Sequence, residues 1–244
     1  MKLANKTALI TGASRGIGRQ IALHLSAEGA RIALVARSRD GLEETRRLAD
    51  PARTSIFCTD LREPTQIEEL GEAVHRDFGE VDILVNAAGV WHDEHHVFRG
   101  PHLQDTPVNQ IYDVLDVGLR ASFLLSRIFL THMIRQRGGK ILQLSCGFAG
   151  PREASGWLHY YVINKAIEAL TMGLAAEVRQ HEIQVNCIAP WFVASEPALR
   201  FFPEESRTAL DPKDVAALAV FMLSADADHI SGQIVELRSK LDVG

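Results

Sequence analysis

The sequence of 244 residues predicts an α/β fold, in which a doubly wound parallel sheet of about seven strands carries helices on both faces. Two observations lead to this prediction. Short apolar runs rich in β-branched residues alternate with longer amphipathic segments along the whole chain. No repeat, low-complexity tract or Pro/Ser-rich linker interrupts that series. Because parallel neighbours need long crossover connections, we expect right-handed strand-helix-strand units in a single domain spanning residues 1–244.

Each predicted strand is a short run dominated by Ile, Leu, Val, Ala and Thr, and each helix carries apolar residues at helical spacing. The first helix has Ile21 and Leu25 four residues apart, and the third has Ile67, Leu70 and Val74 in the same pattern. The predicted strands, in chain order, are Thr7–Thr11, Arg31–Ala36, Thr54–Thr59, Asp82–Asn86, Lys140–Ser145, Gln184–Ala189 and Gln233–Leu237. The helices between them are predicted at about Gly16–Glu28, Arg39–Ala49, Pro64–Phe78, Val108–Arg137, Tyr160–His181 and Pro212–Ser224.

Composition excludes several classes of protein. With 26 Lys and Arg against 31 Asp and Glu, the formal charge is −5, which argues against a main role in binding nucleic acid or an anionic membrane. The longest stretch without Asp, Glu, Lys or Arg runs from Ile183 to Ser195, shorter than the roughly 18–20 apolar residues of a membrane span. Neither a secretory signal nor a cysteine framework is evident, so we expect a cytoplasmic protein with no nucleic-acid and no membrane partner.

A glycine-rich turn follows the first strand. Its sequence is Thr-Gly-Ala-Ser-Arg-Gly-Ile-Gly, residues 11–18, and a helix begins directly after it. Gly12 permits a tight turn, Gly16 permits close approach of the backbone, and Gly18 lets helix and strand pack closely. The amides at the start of the helix are then free to bind a pyrophosphate, so the turn predicts a Rossmann-type dinucleotide site. A purely structural turn is the alternative.

The spacing of these glycines resembles that of the short-chain dehydrogenase/reductase family, classical type, and the likeness extends over nearly the whole chain. The chain is most similar to the 3-oxoacyl-carrier-protein reductase-like group. The further matching stretches are Asp60-Leu61, Asn86-Ala87-Ala88-Gly89, Ser145, Tyr161-x-x-x-Lys165 and Asn186-Cys187-Ile188-Ala189-Pro190. The resemblance implies a small-molecule carbonyl or alcohol substrate and a nicotinamide cofactor. The cofactor-binding residues expected from it are Gly12, Ser14, Arg15, Gly16, Ile17, Gly18, Arg37, Asp60, Leu61, Asn86, Ala87, Gly89, Tyr161, Lys165, Pro190 and Ser195.

The end of the second strand bears on the choice between NADP(H) and NAD(H). An acidic residue there would hold the ribose hydroxyls of NAD and repel a 2′-phosphate, but this chain has Ala36 followed by Arg37. Arg15 in the glycine turn adds a second guanidinium, and a phosphate favours such bidentate donors. We therefore expect NADP(H) in preference to NAD(H). Asp60, in the family pattern, accepts a hydrogen bond from the adenine amine.

Tyr161 and Lys165 lie one helical turn apart and form the expected catalytic pair. A tyrosine with a pKa near ~10 is a poor acid or base at neutral pH unless a nearby cation favours the phenolate, and Lys165 would supply it. The resemblance gives Tyr161 the proton transfer to the substrate carbonyl, Lys165 the nicotinamide ribose, and Ser145 a hydrogen bond to that carbonyl. Tyr160 has no lysine four residues on, and we expect it to take no part.

Three departures from the family pattern qualify this expectation. Gly118 stands where the family has an asparagine that holds a water in a proton relay, and Trp191 follows Pro190 where a glycine is usual. The C-terminal Asp-Gly-Gly of the family is absent, which bears on the expected homodimer or homotetramer. An NADP-binding regulatory or scaffold protein with impaired catalysis is therefore the alternative function.

All three tryptophans lie just beyond the ends of the fourth, fifth and sixth strands, together with several other aromatic residues. This clustering predicts an aromatic-lined pocket for an apolar or ring-bearing carbonyl compound, with core packing as the alternative. The histidines between His92 and His102 lie on a predicted loop without the helical spacing of metal ligands, and we expect no metal there.

Overall fold

The computed structural model describes residues 1–100, 102–148, 150, 152 and 154–239. Its sheet has seven parallel strands in the order β3-β2-β1-β4-β5-β6-β7, which confirms the predicted doubly wound architecture. The strands are β1 (Thr7–Thr11), β2 (Arg31–Ala36), β3 (Thr54–Cys58), β4 (Ile83–Asn86), β5 (Gly139–Leu144), β6 (Ile183–Pro190) and β7 (Ile234–Leu237).

Successive residues of the buried strands serve opposite faces of the sheet. In β1, Ile10 packs with Ile21 of α1, whereas the preceding Leu9 packs with Ile67 of α3 and Leu125 of α5. The two faces thus have separate apolar cores, one under α1, α2 and α8 and the other under α3, α5 and α6. The helices are α1 (Gly16–Ala27), α2 (Arg39–Leu48), α3 (Pro64–Phe78), α4 (Val108–Val114), α5 (Ala121–Gln136), α6 (Leu158–Val178), α7 (Glu196–Phe201) and α8 (Pro212–Leu223).

The predicted helix Val108–Arg137 is interrupted. A π-helical turn at Leu115–Arg120 separates α4 from α5 and contains Gly118. A Cβ on Gly118 would lie 3.2 Å from Ile163 Cγ2, so the missing side chain lets α6 approach this turn closely. The sequence gives no sign of this interruption, because the apolar periodicity continues through it and a π turn adds only one residue to a helical turn.

Strand order reverses between β1 and β4, and this places a crevice above their carboxyl ends. The loops after β1 to β6 all emerge at that edge and carry most of the residues singled out from the sequence, while Tyr161 and Lys165 lie on α6 after the loop that follows β5. Two segments differ from the prediction there. Ser145 lies just beyond β5 instead of within it, and the short helix α7, which was not predicted, follows β6. Among the described helices, none combines the length and apolar character needed to cross a bilayer.

Candidate active site

The glycine turn has the conformation that its sequence predicts. Gly12 has a φ of +66° and Gly16 a φ of +58°, both in the left-handed region that favours glycine. A Cβ on Gly12 would lie 2.9 Å from Ala88 Cα, and one on Gly18 would lie only 2.4 Å from the Gly12 carbonyl oxygen. The turn is further tied to the end of β4, because Thr11 Oγ1 accepts hydrogen bonds from the amides of Ala87 at 3.0 Å and Ala88 at 3.1 Å.

The N-terminus of α1 is built to receive an anion. Arg15 occupies the N-cap position, and no side-chain hydrogen bond caps the helix from there. The amide of Gly16 instead donates to Glu196 Oε2 at 2.8 Å, from the start of α7. The first amides of a helix have no partner within the helix itself, and both these amides and the helix dipole favour negative charge at this position. The turn therefore fits a cofactor diphosphate. Ile17 follows in the first turn of α1, and Ser195, which precedes Glu196, is also close to Gly16.

Positive charge gathers at the expected adenosine end. Arg37 is exposed directly after β2, close enough to Arg15 for its charge to lower the Arg15 pKa, although burial is the larger cause of that shift. Asp60 is held by Arg62, whose Nε lies 3.0 Å from Oδ1 and whose Nη2 lies 2.6 Å from Oδ2. These hydrogen bonds hold the pKa of Asp60 below its ordinary value. The carboxylate that we expected to face adenine is therefore already engaged, while Leu61 beside it is buried in the core.

Asn86 ends β4 and is only 4% exposed, yet neither its Nδ2 nor its Oδ1 has a hydrogen-bond partner in the structure. Buried polar groups are nearly always satisfied, so an unpartnered amide at the crevice fits a bound polar ligand. A Cβ on nearby Gly89 would meet no atom within 4 Å. At the facing edge, Pro190 ends β6 and its carbonyl accepts a hydrogen bond from the Gly147 amide at 2.9 Å.

Two of the three expected catalytic residues meet at a carboxylate that the sequence reasoning missed. Ser145 Oγ donates to Glu168 Oε1 at 3.3 Å and accepts from the Cys187 thiol at 3.4 Å. Lys165 Nζ lies 3.0 Å from both oxygens of Glu168. Within the described residues, none of the hydrogen bonds of Ser145 or Lys165 leads to Tyr161. The spacing of Lys165 and Glu168, three residues apart on one helix, was the signal that could have revealed the pair.

Tyr161 lines a cavity of about 560 Å³ between the start of α6 and two loop segments, one formed by residues 100 and 102–106 and the other by residues 152 and 154–156. Its ring packs edge-on against Phe148, with 5.4 Å between the ring centroids. Leucines and small residues share the lining with Arg152, His102 and Gln104. Tyr161, the residue expected to act as the acid, thus lines a cavity large enough for a small molecule.

Tyr160 points in a different direction from Tyr161 and joins a buried group. The Cys146 thiol is close enough to its hydroxyl to influence its pKa, and Asn164, one turn along α6, donates from Nδ2 to the Tyr160 carbonyl at 2.8 Å. Burial raises the pKa of Tyr160 well above its ordinary value and raises that of Cys146 to about 12. This second constellation of Cys146, Tyr160 and Asn164 was not predicted.

The aromatic segments converge as expected, but their rings mostly contact one another. Trp91 lies 6.4 Å from Trp157 and 6.1 Å from both Phe201 and Phe202, measured between ring centroids. His92 belongs to the same group and lies 3.3 Å from Arg15, from Nε2 to Nη2. Within the described part of the chain, no set of three or more His, Cys, Asp or Glu side chains could hold a metal ion.

Comparison with known proteins identifies the family of the chain. The short chain dehydrogenase family model matches residues 6–205. The 3-oxoacyl-(acyl-carrier-protein) reductase of Vibrio cholerae is 29% identical over 248 residues, covering 97% of each chain, and a short-chain type dehydrogenase/reductase of Picea abies is 29% identical over 260 residues, covering 96% of this chain and 92% of the relative.

Two solved structures extend the likeness to the fold. A 3-ketoacyl-(acyl-carrier-protein) reductase from Brucella melitensis, complexed with NADH, superposes with a TM-score of 0.87 at 25% identity, covering 96% of this chain and 97% of the other. L-Sorbose reductase from Gluconobacter frateurii, complexed with NADPH and L-sorbose, gives a TM-score of 0.87 at 26% identity and covers 98% of both chains. The chain therefore belongs to the short-chain dehydrogenase/reductase family of oxidoreductases.

Proposed function

We propose that this protein is a cytoplasmic NADPH-dependent reductase of ketones or aldehydes, or the corresponding alcohol dehydrogenase, with Tyr161 as the general acid/base. The observation that carries the proposal is the position of Tyr161 on the 560 Å³ cavity, one helical turn from the Lys165 ammonium. Cofactor binding is proposed for the residues expected from the sequence, from Gly12 and its neighbours in the glycine turn to Ser195 before α7.

The proposed chemistry divides between cofactor and protein. Bound NADPH supplies a hydride to the carbonyl carbon of the substrate. Tyr161 transfers its phenolic proton to the carbonyl oxygen, and the Lys165 cation favours the phenolate that remains. Ser145 donates a hydrogen bond to the same oxygen. In the structure Glu168 holds both Lys165 and Ser145, so each must exchange that carboxylate for its catalytic partner.

The experiment that tests this proposal is NADPH oxidation by the purified protein, measured against acyl thioesters, aromatic ketones, steroids and sugars. We expect turnover of at least one carbonyl class. Convergence of the aromatic segments supports an apolar or ring-bearing substrate, although the rings contact one another more than they line the cavity. The two structural relatives are named as reductases of different compounds, 3-ketoacyl-(acyl-carrier-protein) and L-sorbose. A clear preference for sugars would refute the apolar pocket.

Cofactor preference gives a separate prediction. Because Arg37 is exposed beside Arg15 and no acidic residue ends β2, Arg37→Gln should lower the ratio of kcat/KM for NADPH over NADH by roughly tenfold. The paired control is Arg39→Gln, since Arg39 opens α2 and is also exposed. Steady-state kinetics with both cofactors measure the ratio. An unchanged ratio in Arg37→Gln would contradict a 2′-phosphate contact at this residue.

A second candidate function is an NADP-binding protein with impaired catalysis. It is favoured by Gly118, which stands where the family has an asparagine. Its carbonyl, which would hold the relay water in the family, accepts a hydrogen bond from Ser122 Oγ at 2.6 Å. Protection of the fold from heat by NADPH, without turnover of any carbonyl, would establish this alternative.

Gly118 itself can be tested. If its missing side chain limits the proton relay, Gly118→Asn should raise kcat by roughly tenfold, less than the about 10²–10⁴-fold of a full general acid or base because the backbone carbonyl is already present. Gly118→Ala adds the same Cβ, 3.2 Å from Ile163 Cγ2, without the amide, and should not raise kcat. The two variants are compared by kcat in steady state. Equal rates for both would show that the side-chain amide contributes nothing.

Homo-oligomerisation is proposed through the outer faces of the long helices. Phe123 on α5 is 52% exposed, and Val162 and Met172 on α6 are 53% and 52% exposed. Large apolar side chains repeated along two neighbouring helices favour a protein interface. We expect a homodimer or homotetramer.

A further inference from the structure

Glu196 contacts the same amide that would receive a cofactor phosphate. Gly16 opens α1, and its N–H donates to Glu196 Oε2 at 2.8 Å. The approach is specific to this turn, since a Cβ added to Gly16 would meet Ser195 Cβ at 3.4 Å and Glu196 Oε2 at 3.6 Å. The first amides of a helix have no partner within the helix, so this carboxylate occupies the strongest part of the anion site.

The rest of α7 is anchored across the same crevice. Arg19 of α1 lies 3.7 Å from Glu196, from Nη1 to Oε1. At the other end of α7, Arg200 Nη2 donates to the Glu94 carbonyl at 2.7 Å, and the Phe201 ring meets Trp91 edge-on. These contacts join α7 to both the glycine turn and the loop after β4. The short helix therefore bridges the two segments that flank the crevice above β1 and β4.

A carboxylate and a phosphate cannot share one N–H, and their like charges repel each other at close range. We propose that Glu196 competes with the cofactor diphosphate for the Gly16 amide, so that the dinucleotide binds only when α7 releases this contact. This inference rests on the proposed function in one respect, namely that a nicotinamide dinucleotide binds at the glycine turn. It makes Glu196 a determinant of cofactor affinity that does not take part in the reaction.

Removal of the charge should tighten cofactor binding. Glu196→Gln keeps an oxygen that can accept from Gly16, so α7 retains its anchor, but the negative charge is lost. Because the Glu196 side chain is about half exposed, solvent screening limits the effect, and we expect the Kd for NADP⁺ to fall by roughly three- to tenfold. A merely structural role for Glu196 would predict equal or weaker binding, since the Gly16 contact is kept and only the ion pair with Arg19 is lost.

The test is an equilibrium titration of the purified full-length chain with NADP⁺ by calorimetry. Glu204→Gln provides a matched control, because Glu204 carries the same charge but pairs with Arg207 at 2.8 Å on the exposed surface. Adenosine 2′-monophosphate is the second probe, since it lacks the diphosphate. We expect Glu196→Gln to bind NADP⁺ more tightly, with the Glu204→Gln value and the Kd for adenosine 2′-monophosphate unchanged.

Three results would overturn the inference: a Kd for NADP⁺ that is equal or higher in Glu196→Gln, an equal gain in Glu204→Gln, or an equal gain for adenosine 2′-monophosphate. The titration does not depend on turnover. A protein that reduces no carbonyl but binds NADP⁺ more tightly after Glu196→Gln would refute the proposed reductase activity and support the competition. Failure of both proteins to bind either NADP⁺ or NAD⁺ would refute both proposals.

Discussion

Tyr161→Phe should lower kcat/KM for carbonyl reduction by about 10²–10⁴-fold, because it removes only the hydroxyl that transfers the proton. The ring remains, so its edge-on contact with Phe148 and the shape of the cavity are kept. Binding of NADP⁺ should change little beyond the loss of one hydroxyl contact. Steady-state kinetics, with NADP⁺ titration to verify that the site is intact, measure the effect.

The neighbouring tyrosine provides the matched control. Tyr160→Phe removes a hydroxyl that lies beside the Cys146 thiol and away from the cavity, and we expect it to affect folding stability more than turnover. The opposite outcome, with activity lost in Tyr160→Phe and kept in Tyr161→Phe, would move the proton transfer to the group of Cys146, Tyr160 and Asn164. Loss of activity in both variants with normal cofactor binding would show that the two hydroxyls cooperate.

Gly18→Ala should have the largest effect on stability and cofactor binding. Its new Cβ would lie 2.4 Å from the Gly12 carbonyl oxygen and 2.8 Å from the Gly12 carbonyl carbon, and neither backbone atom can yield without opening the turn. Overpacking of this kind costs on the order of 3 kcal/mol in the free energy of unfolding. The new Cβ would also displace the glycine turn, so we expect the affinity for NADP⁺ to fall by about tenfold or more.

Gly173→Ala is the control for that substitution. Gly173 lies within α6, and a Cβ there would meet nothing within 4 Å. Since alanine is the better helix former by roughly 1 kcal/mol, this variant should be as stable as the parent or more so. Chemical denaturation of both variants gives the comparison. If Gly18→Ala unfolds at the same denaturant concentration as the parent, the close packing of helix and strand at this turn would be refuted.

Features of the site that arise from residues close in sequence could be predicted, whereas features that depend on contacts between distant segments could not. The conformation of the glycine turn follows from sterics within eight residues, so the spacing of Gly12, Gly16 and Gly18 was sufficient. The alternating faces of β1 follow from strand geometry in the same way. In contrast, Glu196 reaches Gly16 across 180 residues of sequence, through a helix too short to show periodicity.

The two tyrosines show a different limit. Adjacent residues on a helix point about 100° apart, so the phase of α6 decides which one enters the buried group. Ile163 and Ile167 pack towards the sheet and set that phase, which places Tyr160 with the core and leaves Tyr161 at the cavity. The motif Tyr-x-x-x-Lys specified the pair at 161 and 165, but it carried no information about Glu168, whose contact with Lys165 and Ser145 depends on the packing of α6 over β5 and β6.

Transfer of deuterium from C4-deuterated NADPH to the substrate tests the reductase proposal most directly. With both C4 hydrogens of the cofactor replaced by deuterium and the carbonyl compound that supports the fastest NADPH oxidation, we expect one deuterium on the carbinol carbon for each cofactor molecule oxidised. Tyr161→Phe should form the deuterated alcohol about 10²–10⁴-fold more slowly. Mass spectrometry of the alcohol product measures the incorporation. Unchanged NADPH in the presence of every carbonyl class, although the cofactor still raises the unfolding temperature, would contradict the reductase and identify a protein that binds NADP without using it.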